Sequence, residues 1–488
     1  MNRFKKGYIL IQALVFGSIS VVILGGLVSW AGVNIKASRL AVLREQSLQI
    51  AEAGVDYYRW HLAHSPNDFT DGATTTGPYI HPFYDKDGNQ IGSFALSIIP
   101  PASGLTLVTV TSSSTLLEDP SVSRAVKVKL AIPSFAKYSV VSNDNMRFGE
   151  GTEVFGPIHS NGGIRFDGLA HNLISSAKSS YDDPDHSGNV EFGVHTHRNI
   201  PPSTGVNDSF RSLEAPSNPV TNRSDVFEAG RAFPVPSVDF VGITSDLSSI
   251  KTKSQANGHY YSASGALGYH IVLKTNDTYD LYKVNQMANV STSCINNSDI
   301  GQSGWGVWSI RSGNSAQTLL GTYSFPADGV IFLEDNVWVN GQINTARLTI
   351  VSGKFPDSPS TRTSITVNND ILYTNYDGSD VLALIAQGNI NVGMISEDDL
   401  RIDGALIAQN GRVGRYYYAQ QCNPHNTRST ITLYGMIASN LRYGFAYTDN
   451  TGYETRNIIY DANLLYGPPP SFPLTSDQYQ VVSWEEVR

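Results

Sequence analysis

Apolar positions at the start of the chain follow a helical pattern that is longer than one membrane crossing requires. Residues 8–35 contain no charged side chain, and roughly 20 apolar residues suffice for a helix to span the hydrocarbon of a bilayer. Beyond them, apolar or small residues recur at steps of three and four, and no proline occurs before Pro66. Because this spacing places residues on one face of an α-helix, the sequence predicts one continuous helix over residues 8–65.

Residues 66–135 change to the pattern of β-strands, in which apolar and polar residues alternate. Alternation is clearest over Val126–Leu130, and a period of two is typical of a strand with one buried face. The pattern predicts an antiparallel four-stranded sheet that follows the long helix. Its expected strands are Tyr79–Tyr84, Gln90–Ile99, Thr106–Ser112 and Arg124–Ile132.

Farther along the chain, short apolar runs alternate with corners rich in Asn and Gly. The run Ala-Leu-Ile-Ala-Gln occurs twice, beginning at Ala383 and at Ala405. Related runs lie at 156–166, 329–341 and 435–443. Short repeated strands with such corners are typical of a parallel β-helix, or solenoid, in which each coil buries its apolar face on the next. An antiparallel sandwich with similar hairpins is the alternative.

The two identical runs allow a sharper expectation for the solenoid. Ile385 and Ile407 hold the same place in both, and each follows a leucine. We expect the isoleucines to contact each other on adjacent rungs and to point into the shared interior. Leu384 and Leu406 would point the opposite way, because successive strand residues face opposite sides of a sheet.

Together these patterns predict an α+β protein: a long N-terminal hydrophobic helix, an antiparallel sheet and a mainly-β domain built as a parallel solenoid. The expected division is a leader at 1–7, the helix at 8–65 and the first sheet at 66–135. A first β segment with a long loop-rich insertion would occupy 136–328. The solenoid repeats and an extended tail, with a last strand near Tyr479–Trp484, would occupy 329–488.

The residues before the apolar run resemble a processing site. Arg3, Lys5 and Lys6 precede Gly7, and the uncharged helix follows directly; such positive charge favours a cytoplasmic N-terminus. The run 5–12, Lys-Lys-Gly-Tyr-Ile-Leu-Ile-Gln, resembles the leader of a type IV prepilin. The run 47–54, which ends in Ala-Glu-Ala-Gly, resembles the helix of PilX-like minor pilins. The resemblance implies cleavage after Gly7 by prepilin peptidase and methylation of the amine of Tyr8.

Two positions depart from the pattern of major pilins. Those proteins usually begin the mature chain with Phe and carry Glu five residues in, whereas this chain has Tyr8 and Gln12. In the family, that Glu pairs with the N-terminal amine of a neighbouring subunit. A neutral Gln12 therefore implies a minor or initiating subunit and not the bulk pilin. A plain signal anchor with a long stalk helix is the alternative.

Charge and motifs narrow the classes of function. The formal net charge is −9, and no basic stripe occurs outside the first few residues, which disfavours binding to nucleic acid. The sequence contains no phosphate-binding glycine loop, no nucleophile elbow and no paired metalloprotease histidines. We therefore expect no enzymatic activity and no cofactor.

Two segments have the spacing of metal ligands, although the sequence favours another interpretation of each. Asp85, Asp87 and Asn89 are spaced like the first ligands of a calcium loop, but Asp87-Gly88 also predicts a hairpin turn. His195 and His197 would lie on one face of a strand and could bind zinc or copper. Their surroundings are polar, which favours solvated loop histidines, and the prediction is that no metal is bound.

The chain has two cysteines, Cys294 and Cys422. Their spacing fits no metal or redox motif. In an oxidising compartment they could form a disulfide, and two separate buried thiols are the alternative.

The resulting hypothesis is a non-catalytic minor pilin-like or pseudopilin-like subunit of a type IV pilus or related filament. It would stand at the tip or initiating position and expose its β-rich domain for adhesion or assembly. Expected partners are prepilin peptidase, the major pilin, other minor pilins and, before assembly, membrane lipid. The protein would cross the cytoplasmic membrane once, with most of the chain exported and possible display on the cell surface. The alternative is a membrane-anchored β-helix protein that binds or cleaves glycans outside any filament.

Overall fold

The computed structural model describes residues 5–101, 106–132, 134–199, 205–240, 242–313, 315–474 and 478–487. The chain divides into two compact units. Unit 1 comprises 1–100, 108–131 and 478–488, and unit 2 comprises 101–107 and 132–477. The predicted segments 136–328 and 329–477 therefore lie in the same unit, while the last part of the predicted tail belongs to unit 1. The predicted α+β class, with a long helix, an antiparallel sheet and parallel strands, is confirmed.

Unit 1 is one long helix against an antiparallel sheet. Helix α1 runs over Lys5–His64. The sheet contains β1 (Tyr79–Tyr84), β2 (Gln90–Ile99), β3 (Val108–Leu116) and β4 (Ala125–Ala131) in that order. A fifth strand, Gln480–Val487, pairs antiparallel with β4, and we call it the returning strand. The ion pair between Lys127 and Glu485, 2.9 Å long, joins these two strands.

The core of unit 1 lies between the sheet and the last third of α1. Leu43, Ile50, Tyr58 and Leu62 recur on one helical face and are buried. They pack against apolar side chains of the sheet, which belong to the same core. The helix before Leu43 is different, because every residue over 8–42 is exposed.

Unit 2 is built from parallel strands stacked in long sheets. The largest stack, which we call face A, pairs each strand with the next in parallel. Its strands, in spatial order, are His259–Tyr261, Val330–Leu333, Arg347–Ser352, Val381–Ala386, the second part of Asp399–Ala408, the second part of Thr427–Ser439, Val140–Ser142, Ile158–Ser160, Ile174–Ser176 and Arg231–Ala232.

Two further stacks run beside face A. Face B contains Gly268–Leu273, the first part of Val337–Ile343, Ile365–Thr366, Ile390–Val392 and Val413–Arg415. Face C contains the second part of Val337–Ile343, Ile371–Tyr373, the first parts of Asp399–Ala408 and Thr427–Ser439, then Gly452–Tyr460, Thr152–Phe155 and Leu169–Ala170.

The remaining elements are shorter. A separate parallel sheet joins Met146–Phe148, Ile164–Phe166 and Val194–His195. Antiparallel pairs add Ser180–Tyr181 to Glu191–Phe192, and Thr278–Val284 to both Gly268–Leu273 and Gln317–Ser324. The other helices are α2 (Gly242–Ala256), α3 (Thr292–Ser298) and α4 (Asn463–Tyr466), with 3₁₀ turns at Phe135–Lys137, Ser212–Glu214 and Gln420–Cys422.

Glycine forms the corner between face C and face A. In Asp399–Ala408, Ile402 pairs within face C and Ala405 within face A. Gly404 lies between them with a φ of +156°, and its neighbour in the next coil, Gly435, has a φ of +145°. A Cβ on Gly435 would lie 2.0 Å from the carbonyl oxygen of Gly404. Only glycine allows both the positive φ and this approach, as the predicted glycine corners required.

The structure corrects the predicted direction of the repeated side chains. Ile385 and Ile407 are direct partners on adjacent parallel strands, so the ladder itself is confirmed. Leu384 and Leu406, however, belong to the core that gathers apolar residues from all three faces, which is the interior of the coils. The two isoleucines belong to a second core and point outward from face A.

Helix α2 packs on the outer side of face A at the end that contains His259–Tyr261 and Val330–Leu333. Its Leu247 and Ile250 are buried in the same core as Ile385 and Ile407. In sequence, α2 lies between Arg231–Ala232 and His259–Tyr261, which are the two ends of face A. The segment between these two strands, which contains α2, therefore carries the chain from one end of the stack to the other.

Candidate functional site

The predicted processing and packing residues lie at the start of α1. Residues 1–4 of the leader fall outside the described residues, and Gly7 lies within the helix. Tyr8 is 69% exposed, and Gln12 is also exposed. By length and composition, α1 is the helix of the described part of the chain that could cross a membrane. No hydrogen bond or ion pair engages the Gln12 side chain within the described residues, and its role stays a prediction.

The residues of the candidate calcium loop form a hairpin turn between β1 and β2. The Asp85 carboxylate accepts hydrogen bonds from the backbone N–H groups of Asp87 and Asn89, at 2.9 and 2.8 Å. The Asp87 carboxylate accepts one from Lys86 at 3.0 Å. Asp85 thus closes the turn with both of its oxygens engaged, since Oδ2 accepts from the Asn89 side chain. This is the arrangement that the Asp-Gly turn predicted.

The histidines at 195 and 197 are not solvated, and this prediction is wrong. Both are completely buried, and they meet His186 together with the carboxylates of Asp183 and Glu191. One nitrogen or oxygen atom from each of these five residues lies within 4.8 Å of the others. We call this group the histidine–carboxylate cluster.

The carboxylate of Glu191 is the centre of the cluster. Its Oε2 lies 2.9 Å from His186 Nε2 and 3.1 Å from His195 Nε2, and its Oε1 lies 3.1 Å from His197 Nε2. Asp183 Oδ2 approaches from the other side, 3.6 Å from His186 Nε2 and 3.5 Å from His195 Nε2. All three imidazoles therefore direct Nε2 toward carboxylate oxygens.

Several of these atoms are buried without a hydrogen bond. Neither ring nitrogen of His195 nor Oδ2 of Asp183 has a hydrogen-bond partner among the described residues. His195 Nε2 is close to both carboxylates, yet it is aligned with neither. Buried polar atoms are normally hydrogen-bonded, so these exceptions mark the cluster as unusual.

Neighbouring residues fix the cluster in place. Val194–His195 pairs in parallel with Ile164–Phe166, and the ring of Tyr181 packs beside His195 with a centroid distance of 5.4 Å. Tyr181 can lie there because residue 163 is glycine: a Cβ would come within 2.0 Å of the tyrosine ring. The backbone N–H of His197 donates to Asp167 at 2.7 Å.

The electrostatic surroundings keep the carboxylates ionised. Burial raises the pKa of Asp183, but its interaction with His195 and the charge of Arg165 outweigh this effect and lower the pKa to about 2. Burial likewise raises the pKa of Glu191. Its interactions with His195 and His197 lower the pKa by more than burial raises it, so that it lies well below its usual range. Burial lowers the pKa of His195, and the two carboxylates reverse that shift and raise it.

Sequence reasoning located part of this cluster and missed the rest. His195 and His197 stood out as a pair with two-residue spacing, which predicted that both rings share one side. Glu191 does not stand out in the sequence, and Asp183 and His186 lie in a polar, loop-like segment whose composition favours solvated side chains. The signal that could have found Glu191 is its spacing, because a Glu precedes two alternate histidines within one short segment.

The two cysteines form a disulfide between α3 and the 3₁₀ turn at Gln420–Cys422. Cys294 and Cys422 are joined with a Cα–Cα distance of 4.8 Å, so the pairing holds and the two-thiol alternative does not. The bond lies in a small core with Met394, Tyr416 and Tyr418. It connects segments that are far apart in sequence within unit 2.

Comparisons with known proteins leave the family open. No protein-family model matches the chain, and no curated protein matches it. Among solved structures, it is similar to the crystal structure of the competence-associated pilin ComZ from Thermus thermophilus, with 12% identity over 91% of this chain and 97% of that chain. The TM-score is 0.31, a value that does not establish a shared fold.

Proposed function

We propose that the protein is a non-catalytic minor subunit of a type IV pilus or related filament. The observation that carries this proposal is the division of α1 into two parts. One part is packed against the sheet of unit 1, while residues 8–42 are exposed along their whole length. A helix that is apolar on all sides needs lipid or other helices around it. Membrane before assembly and neighbouring subunits afterwards supply both environments.

A tip or initiating position fits the residue at position 12. Repeated addition of pilins relies on a carboxylate there to pair with a neighbour's amine, and this chain carries Gln12. Such a subunit contributes its helix once and does not need the repeated pair. The parallel strands of unit 2 would then be displayed outside the membrane as a surface for adhesion or for assembly.

Processing at Gly7 tests the proposal. In a piliated host, the intact mass of the wild-type chain should correspond to a protein that begins at Tyr8 and carries one methyl group. The Gly7→Ala variant should keep its leader and remain in the cytoplasmic membrane. Gly17→Ala is the matched control, because it makes the same change within the exposed part of α1, where a new Cβ meets no atom within 4 Å.

Two results would contradict the proposal at this step. A wild-type chain that still carries its leader would favour a plain signal anchor, as would a Gly7→Ala variant that is processed normally. A protein that is found in the membrane fraction and never in sheared filaments would favour the membrane-anchored glycan-binding alternative.

A second experiment restores the acid at position 12. A carboxylate at mid-membrane costs about 2.5–3.5 kcal/mol unless it is paired, and a neighbouring N-terminal amine in a filament would pair it. We therefore expect Gln12→Glu to increase the amount of this subunit in sheared filaments. Gln49→Glu adds the same charge at an exposed position of α1 and should leave the amount unchanged. Exclusion of the Gln12→Glu chain from filaments would show that no amine is within reach.

A further inference from the structure

The histidine–carboxylate cluster buries two carboxylates with little permanent positive charge beside them. Asp183 and Glu191 are 2% and 0% exposed. The nearest guanidinium is that of Arg165, which lies 3.8 Å from Asp183 and already pairs with Asp167 at 2.7 Å and Asp208 at 2.6 Å. Buried charges require a partner of opposite sign. Among the described residues, no lysine or arginine side chain forms an ion pair with Glu191, so a bound cation or a protonated imidazole has to balance its charge.

The contacts of the His197 ring indicate where a positive charge is needed. Its Nδ1 lies 2.5 Å from the carbonyl oxygen of Asn207, and a carbonyl can only accept, so Nδ1 carries the proton. In the neutral ring, Nε2 is then an unprotonated acceptor. It faces the Glu191 carboxylate at 3.1 Å. Two acceptors at this distance repel each other unless the ring is an imidazolium or a cation lies beside both.

The spacing of the donor atoms fits a coordinated cation. Zinc binds imidazole nitrogen and carboxylate oxygen at about 2.0–2.2 Å, so neighbouring ligand atoms of a four- or five-coordinate ion lie roughly 3–3.6 Å from each other. Five nitrogen–oxygen distances in the cluster lie between 2.9 and 3.6 Å, and all five donor atoms lie within 4.8 Å of one another. The hydrogen bond from His197 to Asn207 is also the kind of contact that orients a metal-binding imidazole.

We propose that the cluster binds one divalent transition-metal ion of the Zn²⁺ type. The ligands are His186, His195, His197, Asp183 and Glu191, a set of nitrogen and oxygen donors without a thiolate. Each of these side chains is at most 3% exposed. A closed site of this kind is structural, since a catalytic metal keeps one position open to substrate.

The metal would stabilise the loop-rich insertion of unit 2. Its ligands come from a segment with little regular structure, in which Ser180–Tyr181 and Glu191–Phe192 are the only strand pair between 180 and 193 among the described residues. Through Val194–His195 the ion would connect this segment to Ile164–Phe166. Through Glu191, which accepts from the Arg211 N–H at 2.8 Å, it would also hold the following loop.

Elemental analysis of the full-length chain, purified in detergent without a metal-affinity tag, tests the proposal. We expect about one equivalent of a divalent transition metal per chain, because binding to a closed site is coupled to folding. Removal with dipicolinate should lower the Tm of unit 2 by several degrees, and Zn²⁺ should restore it where Mg²⁺ does not. X-ray absorption should show nitrogen and oxygen ligands without sulfur.

Matched variants separate this site from other histidines. His195→Gln should reduce the bound metal from about one equivalent to less than about a tenth. His159→Gln is the control, because His159 is equally buried but bonds to Ser175 and Asn161, and it should retain the metal.

The wild-type chain decides the matter even if His195→Gln does not fold. The proposal is overturned if wild-type protein contains no transition metal, takes up no Zn²⁺ and has a Tm that chelation does not change. None of these outcomes bears on processing at Gly7, so this proposal and the proposed function fail separately.

Discussion

The two parts of α1 belong to one continuous helix but have opposite environments. From Leu43 onward, one apolar face of the helix is buried against the antiparallel sheet, whereas residues 8–42 are exposed on all sides. In the buried part, Ser47 also contacts Ser114 through a buried hydroxyl pair at 2.7 Å. The comparison teaches that a single apolar face flanked by charged residues packs within the same chain, whereas a segment that is apolar on all sides needs a partner outside it.

The largest effect that sharpens this contrast is expected from aromatic truncation. Tyr58 is fully buried, and its hydroxyl donates to the Asp68 carbonyl at 3.0 Å. Tyr58→Ala should destabilise unit 1 by about 3–5 kcal/mol, the range for removal of a buried aromatic ring. Trp30→Ala, at a residue that is 68% exposed, should leave that stability unchanged. Hydrogen exchange of β3 and β4 amides measures both, and equal protection in the two variants would contradict the division of the helix.

A smaller effect is expected from adding a methyl group to a helical glycine. A Cβ on Gly54 would lie 2.2 Å from Ser112 Oγ and 2.8 Å from the Phe94 ring, so Gly54→Ala should cost about 1–3 kcal/mol through overpacking. Gly25→Ala is the matched control, since its Cβ meets nothing within 4 Å. The same exchange experiment on β2 and β3 should register only the first change. Equal stability of the two variants would mean that the sheet does not pack closely on Gly54.

The smallest effect is expected at the boundary between the two parts of α1. Arg39 forms an ion pair with Glu118 at 2.6 Å, and the two side chains are 66% and 53% exposed. Exposed pairs contribute less than about 1 kcal/mol and weaken with salt. Arg39→Ala should therefore change the exchange of the β3–β4 connection only slightly, and the difference should vanish at high salt. A larger loss would show that this pair fixes where the packed part of the helix begins.

The sequence predicted unit 1 closely because its elements are regular. The predicted bounds of β1 and β2 agree with the structure residue for residue, and the helix was placed within one residue of its end at His64. Both rely on local periodicity, which tertiary contacts reinforce here. The returning strand was expected as a strand, but its pairing with β4 could not be predicted, because nothing in a local pattern names a partner so distant in sequence.

In unit 2, the sequence predicted which strands are neighbours, but not which of their side chains point into the interior. Ala383–Ala386 pairs in register with Ala405–Ala408, as the repeated sequence required. Both sides of these strands are buried, however, so Leu384 and Ile385 carry no difference in polarity that shows which one faces the interior. Strands that are buried on both faces show no alternation of polar and apolar residues. Only the three-dimensional structure shows which of the two side chains faces the interior of the coils.

The candidate metal site could likewise be predicted only in part, because the composition of a polar segment does not reveal whether its side chains are buried. The segment around His186 is rich in polar residues, which favours exposure, yet the side chain is 3% exposed. Its burial depends on Tyr181, on the strand Ile164–Phe166 and on the loop that follows Glu191, and composition of the segment alone reports none of these contacts. The two-residue spacing of His195 and His197 could identify these two ligands from the sequence. The other three became evident only from the folded structure.

The position of the returning strand has a consequence for the order in which the protein matures. Its partner β4 is synthesised and exported before the whole of 132–477, and only then does Gln480–Val487 arrive. During that interval β4 presents an open edge, which invites pairing with other chains. Lys127 and Lys129 on β4 oppose such pairing until Glu485 arrives to meet Lys127. A chain that stops before residue 480 would keep that edge open, so late truncations should cause aggregation and not merely the loss of a tail.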